Sequence, residues 1–168
     1  MKCFLFLLVF FCSFSAYPQE TKAWKKNNDI PSWILKEFSA RGLDKRYSIV
    51  YRLYPSYLRG DFNGDNKKDV AFFVQENESR KFGIAIIYGK SVQVFRYTIT
   101  ILGAGEKISG LSDDVKDISV WSFAKRSVHS WNTFAVNYDA IQLRVGESVN
   151  GLLSWDGKQY SWHPDKTK

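Results

Sequence analysis

The chain has 168 residues and a formal net charge of +7. This length suggests one domain, with enough chain to bury a hydrophobic core. The basic residues are scattered instead of forming a stripe with aromatic residues between them, so we expect no nucleic-acid partner.

Residues 1–19 have the pattern of a secretory signal peptide. Lys2 supplies a basic residue, an apolar run extends from Phe4 to Phe11, and small residues follow. The apolar run is shorter than the roughly 20 residues needed to cross a bilayer. We therefore expect cleavage between Ser15 and Gln19, export to the periplasm, the cell surface or the medium, and no membrane span in the mature chain.

Both cysteines, Cys3 and Cys12, lie inside this signal segment. The mature chain would therefore contain no thiol, which excludes thiol catalysis, thiolate metal sites and disulfides. An exported domain of this kind must be stabilised by its core alone, or by its core together with a metal ion.

Residues 20–30 are polar and rich in lysine, and we expect them to form a flexible N-terminus ahead of a single β-rich domain at 31–168. A helix is predicted over about Ser32 to Arg41. Pro31 has the fixed φ that suits a helix start, and Gly42 marks the end.

Short segments rich in β-branched and aromatic residues predict strands along the rest of the chain. They are Tyr47–Tyr54, Asp69–Gln75, Phe82–Tyr88, Ser91–Leu102, Ile118–Phe123, Asn132–Tyr138, Ala140–Val145, Gly151–Trp155 and Lys158–Trp162. The pattern predicts a mainly β fold, with an antiparallel sheet (propeller-blade-like or a small sandwich or barrel) and one N-terminal helix.

The last two predicted strands flank Asp156-Gly157, which is a strong signal for a two-residue hairpin turn. Such a turn places Leu153 opposite Tyr160. Leu153, Trp155, Tyr160 and Trp162 then share one face of the hairpin.

The most informative motif is a candidate calcium loop at residues 61–69. Asp61, Asn63, Asp65 and Asp69 occupy positions 1, 3, 5 and 9 of this loop. Calcium takes roughly six to eight oxygen ligands, from carboxylates, amides, main-chain carbonyls and water. Oxygen-bearing side chains at alternate positions of a curled loop point towards a common centre, and Lys67 would add its main-chain carbonyl.

The neighbours of these residues favour a loop that joins two strands. Gly64 and Asn66 permit the positive φ values that a tight curl requires. A strand pattern follows directly at Val70, whereas an EF-hand continues into a helix and has its last acidic ligand at position 12. Without metal the three carboxylates would repel one another, so we expect the empty loop to be looser.

The sequence Gly-Asp-Phe-Asn-Gly-Asp-Asn-Lys-Lys-Asp-Val-Ala at 60–71 resembles the calcium loop of FG-GAP/VCBS-type repeats, which form β-propeller blades in integrin α chains and many bacterial surface proteins. Asn66 stands where this family usually has glycine. A weaker resemblance, carried by the loop, Phe82–Ile87, Leu102–Gly105 and Gly151–Tyr160, relates the chain to small exported bacterial FG-GAP-like proteins. The resemblance implies bound Ca²⁺ and implies no activity, and the alternative is an acidic turn without metal.

Other chemistry-bearing residues give weaker signals. His129 and His163 have no partner at metal-binding spacing, and there is no Gly-x-Ser-x-Gly elbow. Leu102-Gly-Ala-Gly reads better as a turn than as a nucleotide site, and the aspartates at 113, 114 and 117 read as an acidic turn. Trp131 is the best candidate for an exposed tryptophan.

The leading functional hypothesis is a non-enzymatic, calcium-stabilised exported β domain that binds a protein or a polysaccharide. Two alternatives stay open: a hydrolase with an unidentified active site, and an inhibitor or immunity-type protein that blocks an enzyme. An enzyme should have a deep pocket with converging polar groups, whereas a binding protein should expose apolar side chains. The sequence does not determine the oligomeric state.

Overall fold

The computed structural model describes residues 30–90, 97–126 and 137–165. Several predicted features lie outside these ranges. They are the signal peptide, most of the N-terminal segment, residues 91–96 of one predicted strand, residues 132–136 of another, His129 and Trp131. Within them the chain forms two helices and nine strands, and these elements are α1 (Ser32–Ala40), α2 (Leu43–Arg46), β1 (Tyr47–Ile49), β2 (Tyr57–Gly60), β3 (Asp69–Glu76), β4 (Phe82–Ile87), β5 (Ile99–Gly103), β6 (Ile118–Ala124), β7 (Ala140–Val145), β8 (Val149–Trp155) and β9 (Tyr160–Pro164).

The strands form two antiparallel sheets, which confirms the predicted mainly β fold. The helix predicted from Ser32 onwards is α1, and α2 is a single additional turn. No helix among the described residues has the length and apolar composition to cross a membrane.

The first sheet has the order β1-β3-β4-β5, and β2 also pairs with β3. Tyr47 pairs with Glu76 at one end of β3, and Gly60 pairs with Asp69 at the other, so β1 and β2 share one edge of that strand. The predicted strand over 47–54 is wrong beyond Ile49. The chain leaves the edge after the Val50 N–H bonds to Phe73, and Pro55 has no N–H with which to continue a ladder.

The second sheet is a meander with the order β6-β7-β8-β9. The predicted pairing of Leu153 with Tyr160 is wrong, because Leu153 pairs with Trp162 and Trp155 pairs with Tyr160. The Asp156 carboxylate accepts the N–H groups of Lys158 (2.7 Å) and Gln159 (2.8 Å), which lengthens the turn by two residues. A shift of two residues leaves every side chain on its predicted face.

One hydrophobic core lies between the two sheets. It combines Phe73 and Ile84 of the first sheet with Trp121, Leu143 and Leu153 of the second. The Trp121 ring meets the Phe73 ring edge to face at 4.7 Å, and its Nε1–H donates to the Pro55 carbonyl at 2.7 Å. This contact fixes the segment between β1 and β2 against the second sheet.

A second core covers the opposite face of the first sheet. Ile34 and Phe38 of α1 pack on Phe72, Val74 and their neighbours. The first sheet is therefore the middle of three layers, which explains why β3 reads as a continuous apolar run and not as an alternating strand.

Candidate metal centre

The predicted calcium loop spans the gap between two paired strand ends. Residues 61–68 join Gly60, the last residue of β2, to Asp69, the first residue of β3, and these two residues are Cα partners. The loop therefore leaves and re-enters the sheet at nearly the same place, and its residues must curl over the strand ends.

Three side chains at alternate positions organise this curl. Asp61 accepts the N–H groups of Gly64 (2.8 Å) and Asn66 (2.9 Å), one on each carboxylate oxygen. The Asn63 amide oxygen accepts the Asp65 N–H at 3.1 Å, and the Asp65 carboxylate accepts an N–H two residues further on. Gly64 (φ 80°) and Asn66 (φ 63°) adopt the positive φ values expected from the sequence.

Asp69 lies at the base of the loop and is fully buried. One carboxylate oxygen accepts the Phe62 N–H and the other accepts the Gly89 N–H, both at 2.8 Å. None of the described lysines, arginines or histidines forms an ion pair with it. Burial raises the pKa of Asp69 to about 6 despite these two hydrogen bonds, which lower it, and the nearby Asp65 carboxylate raises it further.

This raised pKa has a consequence for folding. The ordinary pKa of the Asp69 carboxyl is 3.8, so between about pH 4 and 6 the folded chain holds this proton more tightly than the unfolded chain. The contribution of Asp69 to the free energy of unfolding therefore falls as the pH rises through that interval, by roughly 3 kcal/mol in total. Above pH 6 the core contains an ionised carboxylate that forms no ion pair with any of the described residues.

Asp139 is a residue of the site that the sequence did not reveal. It lies immediately before β7 and is 9% exposed. Its carboxylate accepts the Asp61 N–H at 2.9 Å and the Arg126 N–H at 3.0 Å, and Lys68 Nζ lies 3.7 Å away. An aspartate directly before an apolar strand is the signal that could have indicated it, but its partners are far away in sequence.

Tyr160 of the second sheet also supports the loop. Its hydroxyl donates to the Phe62 carbonyl at 3.2 Å, and burial raises the pKa of this phenol well above its usual range. The loop is thus hydrogen-bonded to both sheets, through Asp69 on one side and through Asp139 and Tyr160 on the other.

The predicted ligands lie together in the loop, but their carboxylates do not form a ready-made cluster. In the part of the chain that the structure describes, no three His, Cys, Asp or Glu side chains are close enough together to hold a metal ion. The predicted set also includes the Asn63 amide and the Lys67 main-chain carbonyl, which are oxygen donors of another kind. Lys67 Nζ itself lies 3.6 Å from Asp65 Oδ2.

The donor chemistry nevertheless fits calcium. All predicted ligands are oxygens, and a carboxylate oxygen that accepts one N–H keeps lone-pair capacity for a cation. Asp61, Asp65 and Asp69 together carry three negative charges, which the loop amides offset only in part. Coordination would require the outer side chains to move towards Asp69.

The other candidate sites have structural explanations. Asp113 forms an ion pair with Lys81 at 2.7 Å, and the Asp114 carboxylate accepts the Phe82 N–H at 3.0 Å. The chain turns at the end of β5, as predicted, with positive φ at Gly103, Ala104 and Gly105.

Comparison with known proteins gives no significant match to a protein-family model, to a curated protein or to a solved structure. The resemblance to FG-GAP/VCBS-type calcium loops therefore stays a prediction from residues 60–71.

The packing of the loop generates a mutational prediction. A Cβ added at Gly64 would lie 2.1 Å from the Tyr138 ring, whereas one added at Gly105 would meet nothing within 4 Å. Both glycines have positive φ, so alanine is strained at both positions. We expect Gly64→Ala to lower the free energy of unfolding by about 1–3 kcal/mol more than Gly105→Ala, measured by urea denaturation. Equal losses would show that the loop does not pack on Tyr138.

Proposed function

We propose that residues 61–69 bind a calcium ion, and that the chain is a calcium-stabilised exported β domain that binds another macromolecule. The observation that carries the metal assignment is the Asp69 carboxylate, which is fully buried at the base of an oxygen-rich loop and has no ion-pair partner among the described residues. A buried charge is strongly unfavourable unless it is paired or coordinates a metal.

The ion would be held by the side chains of Asp61, Asn63, Asp65 and Asp69, together with the Lys67 main-chain carbonyl. When bound, it supplies positive charge that favours the ionised form of Asp69. Asp65 would exchange its contact with the Lys67 ammonium for one with the metal. Asp61 accepts only loop amides, and Asp65 accepts a loop amide and pairs with that ammonium. Both carboxylates would be drawn inwards.

The position of the loop favours a stabilising role for the ion. The Asp61 N–H donates to Asp139 and the Phe62 carbonyl accepts from Tyr160, so an ordered loop holds the second sheet against the first. A cation at this place would therefore strengthen the contact between sheets as well as the strand connection.

Thermal unfolding in calcium and in chelator tests the metal assignment. Calcium at a hundredfold excess over its dissociation constant should stabilise the wild type by ~2.7 kcal/mol, because it binds the native state alone. For a chain of this size that is a rise of ~5–10 °C in the midpoint. Asp65→Ala should lose most of this rise, since the variant lacks a ligand.

Asp117→Ala is the matched control, because Asp117 is an exposed aspartate outside the loop. It should respond to calcium as the wild type does. A wild-type midpoint that does not move with millimolar calcium, together with no heat of binding in calorimetry, would refute the assignment.

The binding role is supported by aromatic side chains at the edge of the first sheet. Tyr54 is 84% exposed and Tyr51 is 37% exposed, and both lie on the segment between β1 and β2. Exposed tyrosines supply contact area for protein partners and can stack on sugar rings. Trp121 and Pro55 fix the base of the same segment, so the rings project from a supported position.

A pull-down from the native envelope tests this role. With calcium present, wild-type protein should retain a specific protein or polysaccharide, and Tyr51→Ser/Tyr54→Ser should retain it ~tenfold less. Protease treatment of the envelope before capture distinguishes the two partner classes. Equal retention by the wild type and the tyrosine variant would contradict a role for this edge.

A further inference from the structure

A basic cleft lies beside the candidate metal loop. It has a volume of about 410 Å³, and Phe123 forms part of its wall. Its charged lining residues are four cations and two carboxylates, namely Lys67, Lys68, Lys125, Arg126, Asp61 and Asp139. The cleft is within the size range of small-molecule binding sites.

The two carboxylates of the cleft already accept hydrogen bonds from main-chain N–H groups of the protein. Both oxygens of Asp61 accept N–H groups of its own loop, from Gly64 and Asn66. Asp139 accepts the N–H groups of Asp61 and Arg126. The amide dipoles offset part of the negative charge of these two carboxylates, and the hydrogen bonds fix their positions.

The four cations of the cleft have fewer and weaker partners among the described residues than the two carboxylates have. Lys67 and Lys68 make long ion pairs, with Nζ 3.6 Å from Asp65 and 3.7 Å from Asp139. Lys125 and Arg126 are exposed and form no ion pair with any described residue. The cleft therefore carries uncompensated positive charge on the side formed by the end of β6.

The two sides of the cleft are held in place by the same residue. Asp139 binds the Arg126 N–H through one oxygen and the Asp61 N–H through the other, which fixes the chain after β6 next to the metal loop. The lysines of the loop and the basic pair after β6 thus face one space from two elements. A site positioned before ligand arrives loses less entropy on binding.

We propose that this cleft binds a ligand carrying two or more oxyanion groups, such as phosphates, sulfates or carboxylates. One group would meet Lys125 and the Arg126 guanidinium, which can pair with an oxyanion through two parallel N–H bonds. A second group would meet Lys67 and Lys68 on the opposite side, which is why a multivalent anion suits the cleft better than a single one. The proposal does not depend on calcium in the loop.

The test is calorimetric titration at low ionic strength with inorganic tripolyphosphate as a small probe and heparin as a polymeric one. The buffer is freed of metal by a chelating resin, because a soluble chelator is itself a polyanion and tripolyphosphate binds calcium. Wild-type protein should bind, and Lys125→Gln/Arg126→Gln should bind at least ~tenfold more weakly, since two charge-assisted contacts are lost.

The matched control is Lys36→Gln/Arg41→Gln, which removes one exposed lysine and one exposed arginine from α1 and its C-cap. It should bind within about twofold of the wild type, because its charge change is the same but lies outside the cleft. Both altered sites are exposed, and unchanged unfolding midpoints would verify that the variants are folded.

The two probes distinguish the source of the anion. Cleft-dependent binding of tripolyphosphate supports the site for a free small ligand, and cleft-dependent binding of heparin alone supports it for repeated groups on a polymer. Equal weakening in the cleft and control variants would overturn the proposal, because it would show general attraction to a basic protein. Absence of binding to both probes would overturn it as well.

Discussion

The buried carboxylate of Asp69 accepts an N–H from Phe62 in the loop before β3 and another from Gly89 in the segment after β4. These two hydrogen bonds tie the connection from β2 to β3 to the neighbouring end of β4. The position of Phe62, and of the Phe62 carbonyl that Tyr160 reaches, depends on them. The arrangement holds a negative charge in the core, and burial of that charge raises the pKa of Asp69 to about 6.

The second sheet meets this point through Asp139. Its carboxylate binds the main chain of Asp61 and of Arg126, so the metal loop and the end of β6 have one common support. The proposed calcium site and the proposed anion cleft are consequently neighbours that share Asp61 and Asp139. A cation in the loop would add to the positive potential of the cleft, and this would favour an anion at the same end of the molecule.

Local sequence carries much of the fold. Continuous apolar runs predict β3 and β4, the segment Ala140–Val145 predicts β7, and Pro31 with Gly42 correctly brackets α1. The curl of the loop also follows from local residues, since Gly64 and Asn66 have the expected positive φ. The predicted hairpin register is wrong because the Asp156 side chain accepts two N–H groups and lengthens the turn. The Asp-Gly pair by itself indicates only the shorter, two-residue turn. The strand β2 was missed because Tyr57–Gly60 is short and finds its partner only when β3 is in place.

Long-range contacts account for what sequence reasoning could not supply. Nothing next to Asp139 in sequence indicates that it binds Asp61. The basic pair Lys125-Arg126 can be recognised as part of a cleft only because folding brings it near Lys67. The complete burial of Asp69 is likewise a product of tertiary packing, although its place at position 9 of the motif could be read directly.

The most direct measurement of the central claim is the carboxyl ¹³C chemical shift of Asp69 followed by NMR as a function of pH, in calcium-free buffer and in millimolar calcium. We expect a pKa of about 6 without calcium. With calcium we expect a pKa lower by at least about one unit, since a bound cation favours the ionised form. A pKa near the ordinary 3.8 without calcium would contradict the buried, uncompensated carboxylate. A pKa near 6 that calcium leaves unchanged would contradict Asp69 as a ligand.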